Sequence, residues 1–511
     1  MVFNRLMDLT HYILLGAQTL FTPTNILFCF IGVLMGTLVG VLPGLGPTAA
    51  IALLLPNTFH VSPVSAIIML AGIYYGAMYG GSTTSILVNI PGEAASVITC
   101  LDGYQMALKG RAGPALGIAA FGSFIAGTIS VLGLMLVAPP LAKFALAFGP
   151  AEYFSLMLMG IVILIYLAAG SMLKALMMGI FGLLIGTIGM DAISGTQRLT
   201  FGILELCDGV GLIPAIMGLF GVAEVIANVE QAIRTDVITT KVKNLLPNLQ
   251  DWKDSFWPII RGSFLGFFIG VLPGPAPVIS SFSSYAIEKK LSKTPEKFGT
   301  GMIQGVAGPE SANNAATGGA FIPLFTLGIP ANSVIAVLLG AFMIHGIQPG
   351  PMLISKYPDL FWGTIMSMYL GNAMLLILNL PLIGLWVQVL KVPYPILFPL
   401  ILLFCLVGVF SLNFSQVEVA LMIGFGVFGY LARKFKFEMA PLVLALVIGP
   451  MMENNLRLSL IISQGSPWVF IKHPISAAFI FITLALLISP VVPWIGRRRK
   501  KLQEKVEGEK V

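Results

Sequence analysis

The sequence predicts an all-α polytopic membrane protein, with about 10 to 12 transmembrane helices in two structural repeats that contain Pro/Gly-broken helices. Three observations predict it. Of 511 residues, 57% are hydrophobic and 10% charged, with a mean hydropathy of +0.93, whereas a soluble domain carries about 25% charged residues. Apolar runs recur along the chain, as at 115–139, 153–170 and 477–494, each near the ~20 residues that cross a bilayer as helix. A pair of broken segments also occurs twice, in the same order.

The first helix is expected to stay, because residues 1–20 lack a basic start followed by a small-residue cleavage site. Residues 1–229 read as the first transmembrane repeat half. Residues 230–257 read as a cytoplasmic linker, since 230–253 is the longest polar stretch, with Arg234, Lys241, Lys243, Pro247, Asp251 and Lys253. Residues 258–496 form the second half with trailing helices. Residues 497–511 form a basic tail, which the positive-inside rule places in the cytoplasm together with Arg433, Lys434 and Lys436.

Across the linker, Gly-Val-Leu-Pro-Gly at 40–44 recurs at 270–274, and Pro47 is matched by Pro277, at an offset of 230. Farther on, Asn89-Ile90-Pro91-Gly92 is matched by Gly328-Ile329-Pro330-Ala331, and Gly80 by Gly319, at an offset of 239. Each half therefore carries a Leu-Pro-Gly break and then an Ile-Pro break. Lysines 289, 290, 293 and 297 follow the second Leu-Pro-Gly break. If both flanks are cytoplasmic, residues 262–287 form a re-entrant hairpin with its tip at 273–277; otherwise they make one crossing broken near its middle. No Lys or Arg lies between Arg5 and Lys109, so loop charge leaves open whether the halves are parallel or inverted.

Proline removes a backbone donor and glycine admits unusual backbone angles, so these segments interrupt helices and free amides and carbonyls. In a bilayer such groups persist where protein or a water-filled cavity satisfies them. Helix N-termini suit a carboxylate, and unwound carbonyls suit a cation. The competing reading of a single break is a packing kink. Pro43, Gly44, Gly46 and Thr48 at the first tip, and Pro273, Gly274, Ser280 and Ser281 at the second, are candidate substrate contacts. So are the polar clusters before and at the Ile-Pro breaks: Ser82, Thr83, Thr84, Asn89 and Pro91, and Asn313, Asn314, Thr317 and Pro330. The alternatives are hydroxyls bonded to their own helix and polar glue between helices.

Gly44, Gly274, Asn89, Glu310 and Asn314 are candidate ion ligands, and Glu93 and Glu310 are the nearest acidic residues. The four clusters contain no basic residue, which favours a bound anion balanced by helix termini and co-bound cations, Na⁺ or H⁺. No other cofactor and no metal centre is expected.

Other chemistries fit poorly. His11, His60, His345 and His473 are solitary, and the chain has no phosphate-binding Gly-x-x-x-x-Gly-Lys-Ser/Thr and no Gly-x-Ser-x-Gly. No enzymatic activity is expected. The net charge of +7 sits in short tracts beside apolar spans, a topology signal rather than a nucleic-acid surface. Cys29, Cys100, Cys207 and Cys405 are scattered in apolar surroundings and read as small core residues.

Several of these segments resemble the large membrane subunit of the tripartite tricarboxylate transporter family. They are residues 40–48, Tyr75-Gly76-Ala77-Met78-Tyr79-Gly80-Gly81-Ser82-Thr83-Thr84-Ser85 and Asn89-Ile90-Pro91-Gly92-Glu93-Ala94-Ala95-Ser96. Pro309-Glu310-Ser311-Ala312-Asn313-Asn314 and His345-Gly346-Ile347-Gln348-Pro349-Gly350-Pro351 continue the likeness. It covers about residues 20 to 480. The resemblance implies a binding-protein-dependent secondary transporter in a prokaryotic cytoplasmic membrane, taking up tricarboxylates such as citrate, or related carboxylates, by Na⁺ or H⁺ symport. It also implies two partners, a small membrane subunit and an extracytoplasmic substrate-binding protein. A gated channel, a subunit without a coupled cycle, or a carrier for another small organic anion are the alternatives. Ala276 and Val278 replace the second glycine and the threonine of the family's Pro-Gly-x-Gly-Pro-Thr pattern, which passes a hydroxyl role at the second tip to Ser280 or Ser281.

Overall fold

The computed structural model describes residues 2–42, 46–168, 171–191, 193–231, 244–390 and 394–488. Among them the only strands form a small antiparallel hairpin pairing Gly189 with Arg198 and Met190 with Gln197. Everything else regular is helix, as the composition requires of a chain that must satisfy its backbone inside a bilayer.

Helices α1 (Val2–Leu20) and α2 (Pro23–Val41) lead to the first Leu-Pro-Gly break; α3 (Pro47–Leu54) and α4 (Pro63–Val88) follow it. Thr22 and Ser62 start α2 and α4 by accepting the amides of Asn25 and Ser65, each followed by a proline in the first turn. After short turns comes the long α5 (Ala112–Ala145), then α6 (Pro150–Tyr166), α7 (Met172–Gly186) and the π-bulged stretch α8 (Leu212–Glu230). The second repeat comprises α9 (Leu249–Gly270), α10 (Ala276–Leu291), α11 (Gln304–Gly319), α12 (Phe321–Leu327), α13 (Ser333–Ile344) and α14 (Pro358–Asn379). Four longer helices trail it: α15 (Tyr394–Asn413), α16 (Gln416–Lys434), α17 (Ala440–Ile462) and α18 (Pro474–Ile488). Helices α2, α4, α5, α8, α14 and α16 are long and apolar enough to cross a membrane. Five shorter apolar helices accompany them.

α9 starts at Leu249, within the segment read as linker. A reciprocal cap between Asn248 and Asp251 begins it there. The middle of that linker, 232–243, the tail 497–511, and Pro43 and Gly44 lie outside the described residues.

The duplication is reproduced contact for contact. Gly32, Gly36 and Gly40 of α2 press against the carbonyls of Met69, Ile73 and Ala77 on α4. Gly262, Gly266 and Gly270 of α9 press in the same way against Gly308, Ala312 and Ala316 on α11. The same offsets, 230 and 239, relate every pair. No Cβ fits at these glycines, and the two helices of each pair run parallel at backbone contact.

Between them a helix must return. In the second repeat Arg261 Nε and Nη2 donate to Glu288 Oε1 (2.8 Å) and Oε2 (2.6 Å), so α10 runs back along α9. Residues 262–287 are thus a hairpin entering and leaving on one face, not a single broken crossing.

The two repeats are inverted. Tyr74 meets Asn332; Ser82 and Glu93 meet Glu310 and Asn313; Asp102 meets the amides of Gly301 and Met302. From Tyr74 to Asp102 in the first repeat the partners fall from Asn332 to Met302 and Gly301 in the second, the order that an inverted pair gives. Each repeat also lends its last long helix to the other: Ser130 on α5 donates to Ala315 O on α11 (2.7 Å), and Tyr79 on α4 donates to Asn372 Oδ1 on α14 (2.5 Å). The buried core runs through this exchanged bundle, with Phe321, Phe325, Phe361 and Trp362 packed edge to face or tilted.

Candidate functional site

The two breaks of each repeat touch. Gly274 N–H donates to Ala331 O (2.8 Å), joining the second Leu-Pro-Gly tip to the second Ile-Pro break. In the first repeat Gly92 lies against Gly40 O so closely that only glycine fits. Thr84 Oγ1 donates to Val41 O (2.8 Å), satisfying a carbonyl where α2 ends. The ordered pairs of breaks in the sequence are thus one structural unit per repeat.

The Ile-Pro breaks close on themselves. Asn89 and Gly328, matched residues, end α4 and α12 in the same left-handed conformation (φ 59° and 70°), which asparagine and glycine tolerate best. Asn89 is exposed, not buried among the helices. Pro91 is half-buried and Pro330 buried beside these caps. The next turns are then capped by side chains: Glu93 Oε2 accepts the Ala95 amide (2.6 Å), and Asn332 Oδ1 accepts the Ile335 amide (3.0 Å).

The helix N-termini after the Leu-Pro-Gly tips differ. α3 starts from Gly46 and α10 from Pro275, and neither has a side-chain cap. At Gly46 the backbone is extended and the space beside it is open. Thr48 is buried in the first turn of α3, which packs against α13 and hence toward the other repeat's break. At the second tip Pro273 is half-buried, and Ser280 and Ser281 bond back to Pro277 O and Val278 O (2.9 Å each).

A polar seam joins the repeats beside these tips. Glu310 accepts from Ser82 Oγ (2.5 Å) and from Thr99 Oγ1. Asn313 Nδ2 donates to Glu93 Oε1 (3.1 Å), and Asn314 Nδ2 to Ser123 Oγ (2.7 Å). Thr317 Oγ1 bonds back to Asn313 O (3.1 Å), and Thr83 lines a small cavity beside Ser82. Both carboxylates are buried, and among the described residues no Lys, Arg or His pairs with either. The Oδ1 atoms of Asn313 and Asn314 are buried without a partner, so the seam retains acceptor capacity that the protein does not fill.

The structure adds Tyr74, Thr99, Ser123 and Asn332 to the residues foreseen. Asn332 has a signal in the numbering, since it is Glu93 shifted by 239. Beside the second break, Leu327, Pro349, Gly350, Lys356 and Tyr357 line a cavity of about 560 Å³, within the range of small-molecule sites. It lies at the end of the chain's crossings opposite Lys109 and Arg111. No group of His, Cys, Asp and Glu fit to hold a metal occurs among the described residues.

A protein of Agrobacterium vitis, described as an uncharacterized 52.8 kDa protein in the TAR-I ttuC' 3' region, is 52% identical over 497 residues, 97% of this chain and 99% of the relative. A second from the same organism, an uncharacterized protein in the TAR-II ttuC' 3' region, is 49% identical over 237 residues, 46% of this chain and 98% of the relative. No solved structure matches. Residues 26–444 match the family described as the tripartite tricarboxylate transporter TctA family, to which this multi-pass membrane chain therefore belongs.

Proposed function

We propose that this chain is the large membrane subunit of a binding-protein-dependent secondary transporter, which takes up tricarboxylates or related carboxylates across the prokaryotic cytoplasmic membrane with Na⁺ or H⁺. One observation carries the reading. Of the four breaks, the two Ile-Pro ones are capped by their own side chains, while the helix N-termini at the two Leu-Pro-Gly tips are left uncapped. Uncapped N-termini attract carboxylates through free N–H groups and the helix dipole. With no basic residue in the seam, an anion there needs co-bound cations, which suits symport. Contacts to the substrate come from Gly46 and Thr48 at the first tip and from the start of α10 at the second. The cavity beside Lys356 serves as the outer vestibule, where an extracytoplasmic binding protein delivers its ligand, and the small membrane subunit completes the complex.

The inverted repeats supply the cycle: exchanging the conformations of two inverted units turns an outward-open carrier into an inward-open one. The test is uptake of labelled citrate and other di- and tricarboxylates into proteoliposomes holding the three-component complex. Saturable uptake that collapses with the Na⁺ or proton gradient is expected. Flux that never saturates makes the chain a channel, and absence of uptake for every carboxylate overturns the reading.

A further inference from the structure

Asn379 ends α14 of the second repeat. Its Nδ2 donates to Leu375 O (2.9 Å), while its Oδ1, in a residue 4% exposed, has no hydrogen-bond partner. This side chain lines a cavity of about 10 Å³ with Tyr79, Ser82, Thr83 and Ser123, room for one water-sized particle and far too small for a carboxylate substrate.

The protons of two lining hydroxyls are already committed. Tyr79 donates to Asn372 Oδ1 (2.5 Å) and Ser82 to Glu310 Oε2 (2.5 Å). Their oxygens, like Asn379 Oδ1, can therefore only accept. Three acceptor-only oxygens exceed what one water with two protons can serve, whereas a small hard cation coordinates all of them, with Thr83 and Ser123 completing an oxygen shell. We propose that this cavity binds one Na⁺. A divalent ion would call for several carboxylates; here Glu310 is the one carboxylate bonded to a lining hydroxyl, through Ser82, which balances a single positive charge.

The placement gives the ion a role. Tyr79, Ser82 and Thr83 belong to the first repeat and Asn379 to the second, while Ser123 accepts from Asn314 of the seam. A bound ion ties α4, α5 and α14 together and reports to Glu310 and Asn314. This deepens the symport reading and rests on it for the coupling.

The experiment measures two things on wild type, Asn379→Ala and Thr83→Val: binding of radioactive Na⁺ to the purified full-length chain, with Li⁺ and K⁺ as competitors, and the Na⁺ dependence of carboxylate uptake by the reconstituted complex. Removing Asn379 Oδ1 is expected to raise the half-saturating Na⁺ concentration about tenfold in both assays, the size of one lost ligand to a charged group. For Asn379→Ala the carboxylate KM at saturating Na⁺ should stay within about twofold. Should Asn379→Ala fail to insert, Thr83→Val carries the same expectation for the half-saturating Na⁺ concentration alone. Unchanged Na⁺ curves at wild-type abundance, or uptake that needs protons and no Na⁺, overturn the site and leave carboxylate transport standing. If the complex moves no carboxylate at all, the functional reading fails, and Na⁺ binding to the purified chain still decides the site.

Discussion

Glu93 and Asn332 make the same contact in opposite directions: each follows an Ile-Pro break, caps the next turn, and reaches across to the other repeat. Glu93 Oε1 accepts from Asn313 Nδ2 (3.1 Å), and Asn332 Nδ2 donates to Tyr74 Oη (2.8 Å). The offset of 239 that turns Glu93 into Asn332 also turns Tyr74 into Asn313. Inverted repeats thus lock each other through matched residues, one lock ionisable and one neutral. Tyr74→Phe leaves the buried Asn332 amide donor without its partner, a loss of about 1–3 kcal/mol. The same cycle with Asn332→Ala should give a coupling of about 0.5–3 kcal/mol, read from unfolding midpoints in detergent. Additive effects would mean the two side chains do not act as a pair.

The glycines of the two tips should respond in opposite ways to the same substitution. Gly274 sits at φ 146°, with Leu167 Cδ1 2.9 Å from where a Cβ would stand, and its amide holds Ala331 O. Gly46 has φ −77° and open space around it. Gly274→Ala should cost about 1–3 kcal/mol through backbone strain and abolish most uptake while the protein still inserts. Gly46→Ala should leave the unfolding midpoint near wild type, since alanine adopts that backbone freely and meets no neighbour. Equal unfolding midpoints of the two variants would contradict the difference between the tips.

The parallel helix pairs predict matching penalties. Gly36 and Gly266 are equivalent by the offset of 230, and each faces a carbonyl, of Ile73 and of Ala312. Gly36→Ala and Gly266→Ala should each destabilise by about 1–3 kcal/mol, the range for forcing a methylene into a packed contact. Thermal unfolding of the two variants checks this. A loss in one and none in the other would show that the repeats pack differently.

The repeat and its breaks were legible because proline and glycine are conspicuous in an apolar chain, and Gly-Val-Leu-Pro-Gly recurs at one offset. The hairpin at 262–287 was half-legible from the lysines after it, and Arg261 with Glu288 decides it. Inversion was not legible: the first half carries no Lys or Arg between Arg5 and Lys109, so the charge bias that reports orientation is missing. At the site, Glu310, Asn313 and Asn314 stood out as polar residues in apolar company. Tyr74 did not, because a lone tyrosine in an apolar helix reads as packing until its partner across the bundle is known, and Asn379 did not, because the fold alone places its unpartnered Oδ1 beside residues of the other repeat. Asn89 is exposed at the end of α4, and its left-handed backbone (φ 59°) is a feature that the fold adds to the sequence.

The face opposite Lys109 and Arg111 offers a prediction in pH. Asp191 Oδ1 accepts the amides of Ser194 (2.8 Å) and Ile193 (2.9 Å), and its Oδ2 pairs with Arg457 Nη1 (2.8 Å). These bonds, the Ser194 amide first, hold the carboxyl well below the usual carboxylate range. A group lowered in the folded state stabilises it fully above its unfolded pKa of about 3.9, and that stabilisation is lost only as pH falls through the lower folded value. The 189–198 hairpin should therefore stay closed from neutral pH down to about pH 4. Asp191→Asn should open it at neutral pH, because the amide keeps one acceptor but loses the charge that Arg457 and Arg198 face. Hydrogen exchange over residues 189–198, corrected for the intrinsic pH dependence of exchange, measures both. A wild-type hairpin that loosens on mild acidification, or an Asp191→Asn hairpin as protected as wild type, would place the clasp elsewhere, most directly on the pair of Arg198 Nη1 with Glu453 Oε1 (2.8 Å).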